Sequence, residues 1–116
     1  MSSPLFSVDI SHVDGRNAVR FIGELDMEAA NTAKDRALDA LSAFGDGPLF
    51  IDLSDLSFCD SSGLHALTLV AQTARSDGRL VVLVRPRQAV RQVLRIAGLD
   101  SEFVIEDEDW DSASSP

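Results

Sequence analysis

The stretch Phe50-Ile-Asp-Leu-Ser-Asp-Leu-Ser-Phe-Cys-Asp-Ser-Ser-Gly-Leu-His-Ala-Leu67 changes its period once, and that change sets the pattern for the whole chain. Phe50, Ile51 and Leu53 are strand formers, and Leu56 and Phe58 continue the apolar alternation. From Leu64 the spacing becomes helical. Between the two lies Asp60-Ser61-Ser62-Gly63. Asp60, Ser61 and Ser62 are all good helix caps, because a short side-chain oxygen can accept from the free N–H groups of a first turn. Gly63 keeps that turn small.

The helix that follows places the serines. His65, Thr68, Gln72 and Arg75 recur at steps of three, four and three, which makes one polar stripe. Four residues before His65 is Ser61, so Ser61 stands at the top of the solvent face. Ser62 is turned by about 100° from it, onto the side of Ala66 and Leu69. If either serine is presented to a partner, the geometry prefers Ser61. The plainer reading is that Asp60 or Ser61 only caps the helix.

The rest of the chain falls into the same alternation. Leu5–Ile10 and Ala18–Ile22 read as strands around the turn Asp14-Gly15-Arg16-Asn17, and so as a hairpin. Gly23-Glu24-Leu25-Asp26 ends the second strand, with Asp26 as a cap and Glu28 suited to the positive end of the next helix. That helix runs from about Met27 to Phe44, with Ala30, Ala33, Ala37, Leu38, Leu41 and Phe44 inward. Gly45-Asp46-Gly47-Pro48 stops it. Asp77-Gly78 closes the helix after Ser61. Leu80–Val84 is a continuous apolar run, as in a strand covered on both faces. Pro86 suits a first helical position. The last helix reaches about Ala97, with Val90, Val93, Leu94 and Ala97 inward, Gly98 as its C-terminal cap and Leu99 packing behind. Phe103–Ile105 is a short final strand. The order ββαβαβαβ predicts an α/β fold: one mixed, mostly parallel sheet of four or five strands with three or four helices. Residues 1–105 form one domain, followed by an acidic, Ser-rich and flexible tail, 106–116.

Charge excludes some functions. The net charge is −9. Glu106, Asp107, Glu108, Asp109 and Asp111 contribute without a compensating base, and the remainder is still acidic. Such a surface repels nucleic-acid phosphate and anionic lipid alike. No apolar run approaches the ~20 residues of a membrane span, and the N-terminus lacks a signal peptide's regions, so a cytoplasmic protein is expected. The single cysteine, Cys59, excludes an internal disulfide and reads as a buried thiol. His12 and His65 give no metal-ligand spacing. No cofactor, metal or enzymatic activity is expected.

At Asp60-Ser61-Ser62-Gly63-Leu64 the sequence resembles the STAS domains, in particular the bacterial anti-sigma factor antagonists. Three further segments carry the likeness in the right order across roughly residues 5–105. They are Gly23-Glu24-Leu25-Asp26, Asp52-Leu53-Ser54-Asp55-Leu56-Ser57-Phe58, and Ile96-Ala97-Gly98-Leu99. The resemblance implies a STAS-like fold and a partner switch that regulates transcription. Such an antagonist binds an anti-sigma factor that is also a serine/threonine kinase of the histidine-kinase-like ATPase type, which frees a sigma factor. The kinase phosphorylates the first serine after the aspartate, and a metal-dependent, PP2C-type serine phosphatase restores it. Carried over by position, the phosphorylated residue is Ser61, with Ser62 the lesser candidate. Gly23, Glu24, Asp26, Asp60, Ser61, Ser62, Gly63 and His65 form the partner surface. A monomer or weak dimer is expected. Two departures stand out. His65 occupies a position often held by glycine or another small residue, one turn from Ser61. The family's usual fourth helix finds little apolar periodicity in 106–116, so one turn or none is expected there.

A phosphate on Ser61 would sit at a helix N-terminus, where free N–H groups and the dipole favour an anion. The alternatives are a STAS scaffold or sensor module that binds a protein or small ligand without phosphorylation, and a serine hydrolase with Ser61 as nucleophile and His65 as base. Against the hydrolase, the motif is not a Gly-x-Ser-x-Gly elbow. Arg87, Arg91 and Arg95, four residues apart, read as a solvated face or as a dock for the acidic tail or an acidic partner. Trp110 is either exposed or an anchor for that tail.

Overall fold

The computed structural model describes residues 5–13 and 15–107. Of the expected flexible tail 106–116, Glu106 belongs to the last strand and pairs with Arg16, and Asp107 pairs with Arg91; residues 108–116, with the expected fourth helix and Trp110, lie outside the described residues. Phe6–Val13 (β1) and Arg16–Leu25 (β2) form the antiparallel hairpin. Then come Met27–Ala43 (α1), Leu49–Cys59 (β3), Ser61–Ser76 (α2), Val81–Val84 (β4) and Gln88–Ile96 (α3). A single 3-10 turn, Asp100–Glu102, leads into Val104–Glu106 (β5). The sheet order is β1-β2-β3-β4-β5, and every pair after the first is parallel. Among the described residues this is the mixed, mostly parallel α/β sheet expected, with five strands and three α-helices.

Register divides the sheet into two faces, because paired residues share a side and neighbours alternate. Val19, Ile51, Leu83 and Ile105 stand in one row, and Ala18, Phe50, Val82 and Val104 in the next. The first row joins Ala33 and Ala37 of α1, Val70 of α2 and Leu94 of α3 in one apolar cluster, so all three helices cover that face. The other face carries charge. Arg16 pairs with Glu106 at 2.8 Å and lies over the Phe50 ring, while Arg20 reaches Asp9 and Asp55. Asp52, only 7% exposed, accepts from the Ser54 N–H at 2.9 Å and meets Arg85 at 3.3 Å.

β3 departs from the expected alternation. Opposite the three residues Arg20–Ile22 it has four, Asp52–Asp55, and opposite the two residues Gly23–Glu24 it has three, Leu56–Phe58. Each bulge resets which side faces the core. Leu53, Leu56 and Cys59 are therefore all buried at a spacing of three, and Phe58 turns out to be 47% exposed rather than inward. β2 also continues to Leu25 instead of stopping at Ile22, because Glu24 and Leu25 pair with Phe58 and Cys59.

The helices differ from expectation at single positions. The buried face of α1 is Ala29, Ala33, Ala37, Ala40 and Leu41, so Ala30 lies at the margin and Ala29 takes its place. Alanines on that face let α1 approach closely. Pro86 is not the first residue of α3. Arg85 turns the chain at φ +49° and Arg87 is extended, so the helix begins only at Gln88. Ala97 is exposed as the C-cap, beyond the last full turn. The Gly98 N–H donates to the Arg95 carbonyl at 3.0 Å and the Leu99 N–H to the Leu94 carbonyl at 2.9 Å, with Gly98 at φ +73°. This is the glycine stop with Leu99 packed behind it that the sequence suggests. The final strand sits one residue later than expected, pairing Val84 with Glu106.

The arginine row of α3 is more than a solvated face. Arg87 donates from Nε to the Ser54 carbonyl at 2.8 Å, and Arg91 pairs with Asp107. Among the described residues, no helix is long and apolar enough to cross a membrane.

Candidate functional site

β2 and β3 end side by side, with Leu25 paired to Cys59. Each is followed by one capping aspartate and then a helix. Asp26 accepts from the Ala29 N–H at 3.0 Å, and Asp60 accepts from both the Ser62 N–H at 2.9 Å and the Gly63 N–H at 3.1 Å. Short side-chain oxygens of this kind satisfy N–H groups that a helix start leaves unpaired. The cap of α2 is thus Asp60 and not Ser61. Two parallel helix starts lie next to each other at the carboxyl edge of the sheet, where open α/β sheets place their sites.

Gly63 makes this geometry possible. A Cβ there would stand 2.7 Å from Leu25 Cγ, 2.8 Å from Cys59 Sγ and 2.8 Å from the Leu25 carbonyl oxygen. The residue is a packing requirement, where the sequence suggested only a small turn. Gly23 has a similar role at the other end of the motif. It sits at φ +102°, and a Cβ would fall 1.9 Å from the Leu5 carbonyl oxygen, which accepts from the Glu24 N–H at 2.9 Å. Its own carbonyl accepts from the Ser57 hydroxyl at 3.1 Å.

Ser61, released from capping, is exposed, and its hydroxyl has no hydrogen bond among the described residues. Ser62 is half-buried, as its rotation toward Ala66 and Leu69 requires. Ser61, Ser62 and His65 line an open groove of about 420 Å³ whose other wall is Met27, Ala30 and Asn31 of α1. Of the residues expected at a partner surface, Ser61, Ser62 and His65 meet in this groove. Asp26 and Asp60 stand at the two helix starts behind it, Gly63 is buried beneath, and Gly23 and Glu24 lie one step back on β2. The α1 wall was missed. The available signal was Met27, a large apolar residue directly after a cap, which is 74% exposed.

Among the described residues, the nucleophilic groups near the groove are Cys59, His65 and the two serines. Cys59 is buried beside the caps, and burial, aided by the Asp60 charge, pushes its thiol up to about 12. It is not a nucleophile at neutral pH. His65 has no hydrogen-bond or ion-pair partner among the described residues, so nothing there orients it as a base toward Ser61. Among those residues no group of three or more His, Cys, Asp or Glu converges to hold a metal.

The profile of the STAS domain family matches residues 7–109. A Thermotoga maritima protein named as a candidate anti-sigma factor antagonist is 31% identical over 77 residues, covering 66% of this chain and 68% of its own. Among solved structures, the chain is similar to an anti-sigma factor antagonist from Mycobacterium paratuberculosis, at 26% identity and a TM-score of 0.77, covering 99% and 97% of the two chains. The anti-sigma factor antagonist SpoIIAA of Bacillus, in its unphosphorylated form, superposes with a TM-score of 0.66 at 25% identity, covering 88% and 90%. Sheet order, the capped helix pair and the matched profile agree, and the chain belongs to the STAS domain family.

Proposed function

We propose that this chain is an anti-sigma factor antagonist switched by phosphorylation of Ser61. With Ser61 unmodified it binds an anti-sigma factor serine kinase of the histidine-kinase-like ATPase type and so releases a sigma factor. Phosphate on Ser61 ends that complex, and a PP2C-type phosphatase restores it. Asp26, Asp60, Ser61, Ser62 and His65 meet the partner, with Gly23, Glu24 and Gly63 shaping the edge. The relatives support the antagonist reading by their names, and SpoIIAA has been seen both unphosphorylated and phosphorylated.

The observation that carries the reading is the free, exposed Ser61 hydroxyl in front of two packed helix starts. Asp60 does the capping, so modifying Ser61 removes no bond that holds the fold. One part of the sequence-based expectation changes here. The N–H groups of Ser62 and Gly63 are already taken by Asp60, so they are not open to a phosphate. The helix dipole still favours the anion, the Asp60 carboxylate opposes it, and the two effects are of similar size. The cost therefore falls on the interface, where a charge of about −1.5 to −2 must be desolvated. A loss of ~3 kcal/mol there weakens binding about a hundredfold.

The test is a pull-down from native lysate with Ser61→Ala and Ser61→Glu as paired baits, read by mass spectrometry. Ser61→Ala is expected to retain a histidine-kinase-like ATPase that Ser61→Glu loses. Retention of the same proteins by both baits would favour a scaffold or sensor module that works without phosphorylation.

A further inference from the structure

We infer that His65 receives the phosphate carried by Ser61, so that the modified groove closes on itself through one contact within α2. The inference deepens the reading above and rests on it for its biological setting. Ser61 is the first residue of α2 and His65 lies four further on, so both side chains stand on one face, the spacing at which helical side chains meet. Both line the same groove, both are exposed, and neither side chain has a partner among the described residues. Two of the donors of this helix start, the N–H groups of Ser62 and Gly63, are committed to Asp60. Of the six residues lining the groove, His65 is the one able to carry positive charge.

The surroundings sharpen the point. Asp60 on the same element and Asp26 across from it are carboxylates that repel a phosphate. On α1, Glu28 lies in the first turn, Asn31 faces the groove, and Lys34 follows one turn later, within 4.0 Å of Asp35. Arg75 is further along the polar stripe and is turned to the Glu102 carbonyl at 3.2 Å. A dianion at Ser61 therefore follows the Asp60 cap directly, has the Asp26 cap at the neighbouring helix start, and has His65 one turn along its own groove face.

The experiment uses the full chain with phosphoserine genetically encoded at position 61, so no kinase is needed. The phosphorus NMR signal is followed from pH 4.5 to 8 in that protein and in its His65→Ala and His65→Lys variants. The second ionisation of a phosphoserine lies near 6. An exposed pair one turn apart is expected to lower the midpoint by about 0.4 pH units relative to His65→Ala, and His65→Lys should restore the lower value. Superposable curves for the histidine and alanine proteins would overturn the inference. Failure to find phosphate on Ser61 in cells would count against the switch and leave the titration result standing.

Discussion

The backbone N–H of Asp60 donates to the carbonyl of Leu25 at 3.2 Å, and this bond joins the start of α2 to the end of β2. Residues 35 positions apart are thereby held as neighbours. The groove in front of Ser61 exists because α1 leaves the sheet at that same edge, beginning two residues after Leu25 behind its Asp26 cap.

Gly63→Ala should destabilise the protein, against the usual preference for alanine in helices. An exposed helical glycine gains up to about 1 kcal/mol on this change. Here the new methyl meets Leu25 and Cys59 inside 3 Å, and overpacking of this kind costs about 1–3 kcal/mol. Urea denaturation should show a clearly lower midpoint. An unchanged or raised midpoint would mean that the two helix starts tolerate separation.

Asp60→Ala should cost about 1–2 kcal/mol, because two N–H donors lose their acceptor. Ser61→Ala should change stability by less than about 0.5 kcal/mol, as for a surface site. Thermal melts of the pair separate the capping residue from the presented one. Equal losses would return Ser61 to the role of a cap.

Cys59 predicts two behaviours. Its thiol should resist maleimide in the native protein at pH 8 and react quickly in urea. Its folded-state value of about 12 lies above its ordinary value of 9.0, so the neutral thiol favours the folded state. That stability is fully present below pH 9 and is lost as pH rises toward 12, by up to about 1.4 kcal/mol per pH unit. Denaturation midpoints at pH 8, 9.5 and 10.5 should fall faster for the wild type than for Cys59→Ala. Parallel slopes would show that the thiol is not the titrating group.

Arg79 should matter for stability although it is remote from the groove. Its guanidinium donates to the Leu41 carbonyl at the end of α1 and to the Gly47 carbonyl at 2.7 Å, tying the helix stop to the turn before β3. Arg79→Ala should cost about 2 kcal/mol, and Arg79→Lys should recover less than half of it, since an ammonium lacks the planar fork. Full recovery by lysine would point to charge and not geometry as the cause.

Helix starts, helix stops and the presentation of Ser61 could be read from the chain alone. Each rests on residues within about one turn of each other: Asp26 and Asp60 before the first N–H groups, Gly98 after the last carbonyls, and Ser61 four places before His65. Local periodicity and capping chemistry decide such features without help from the rest of the molecule. The order of strands and helices followed for the same reason. What only the tertiary structure decided is what distant residues do to one another. The bulges of β3, which bury Leu53, Leu56 and Cys59 and turn Phe58 outward, come from its register against β2. The need for glycine at 63 comes from Leu25, and the second wall of the groove comes from Met27, Ala30 and Asn31. Those contacts depend on how closely two helices and a strand end can approach in space, and spacing along one strand or helix does not encode that distance.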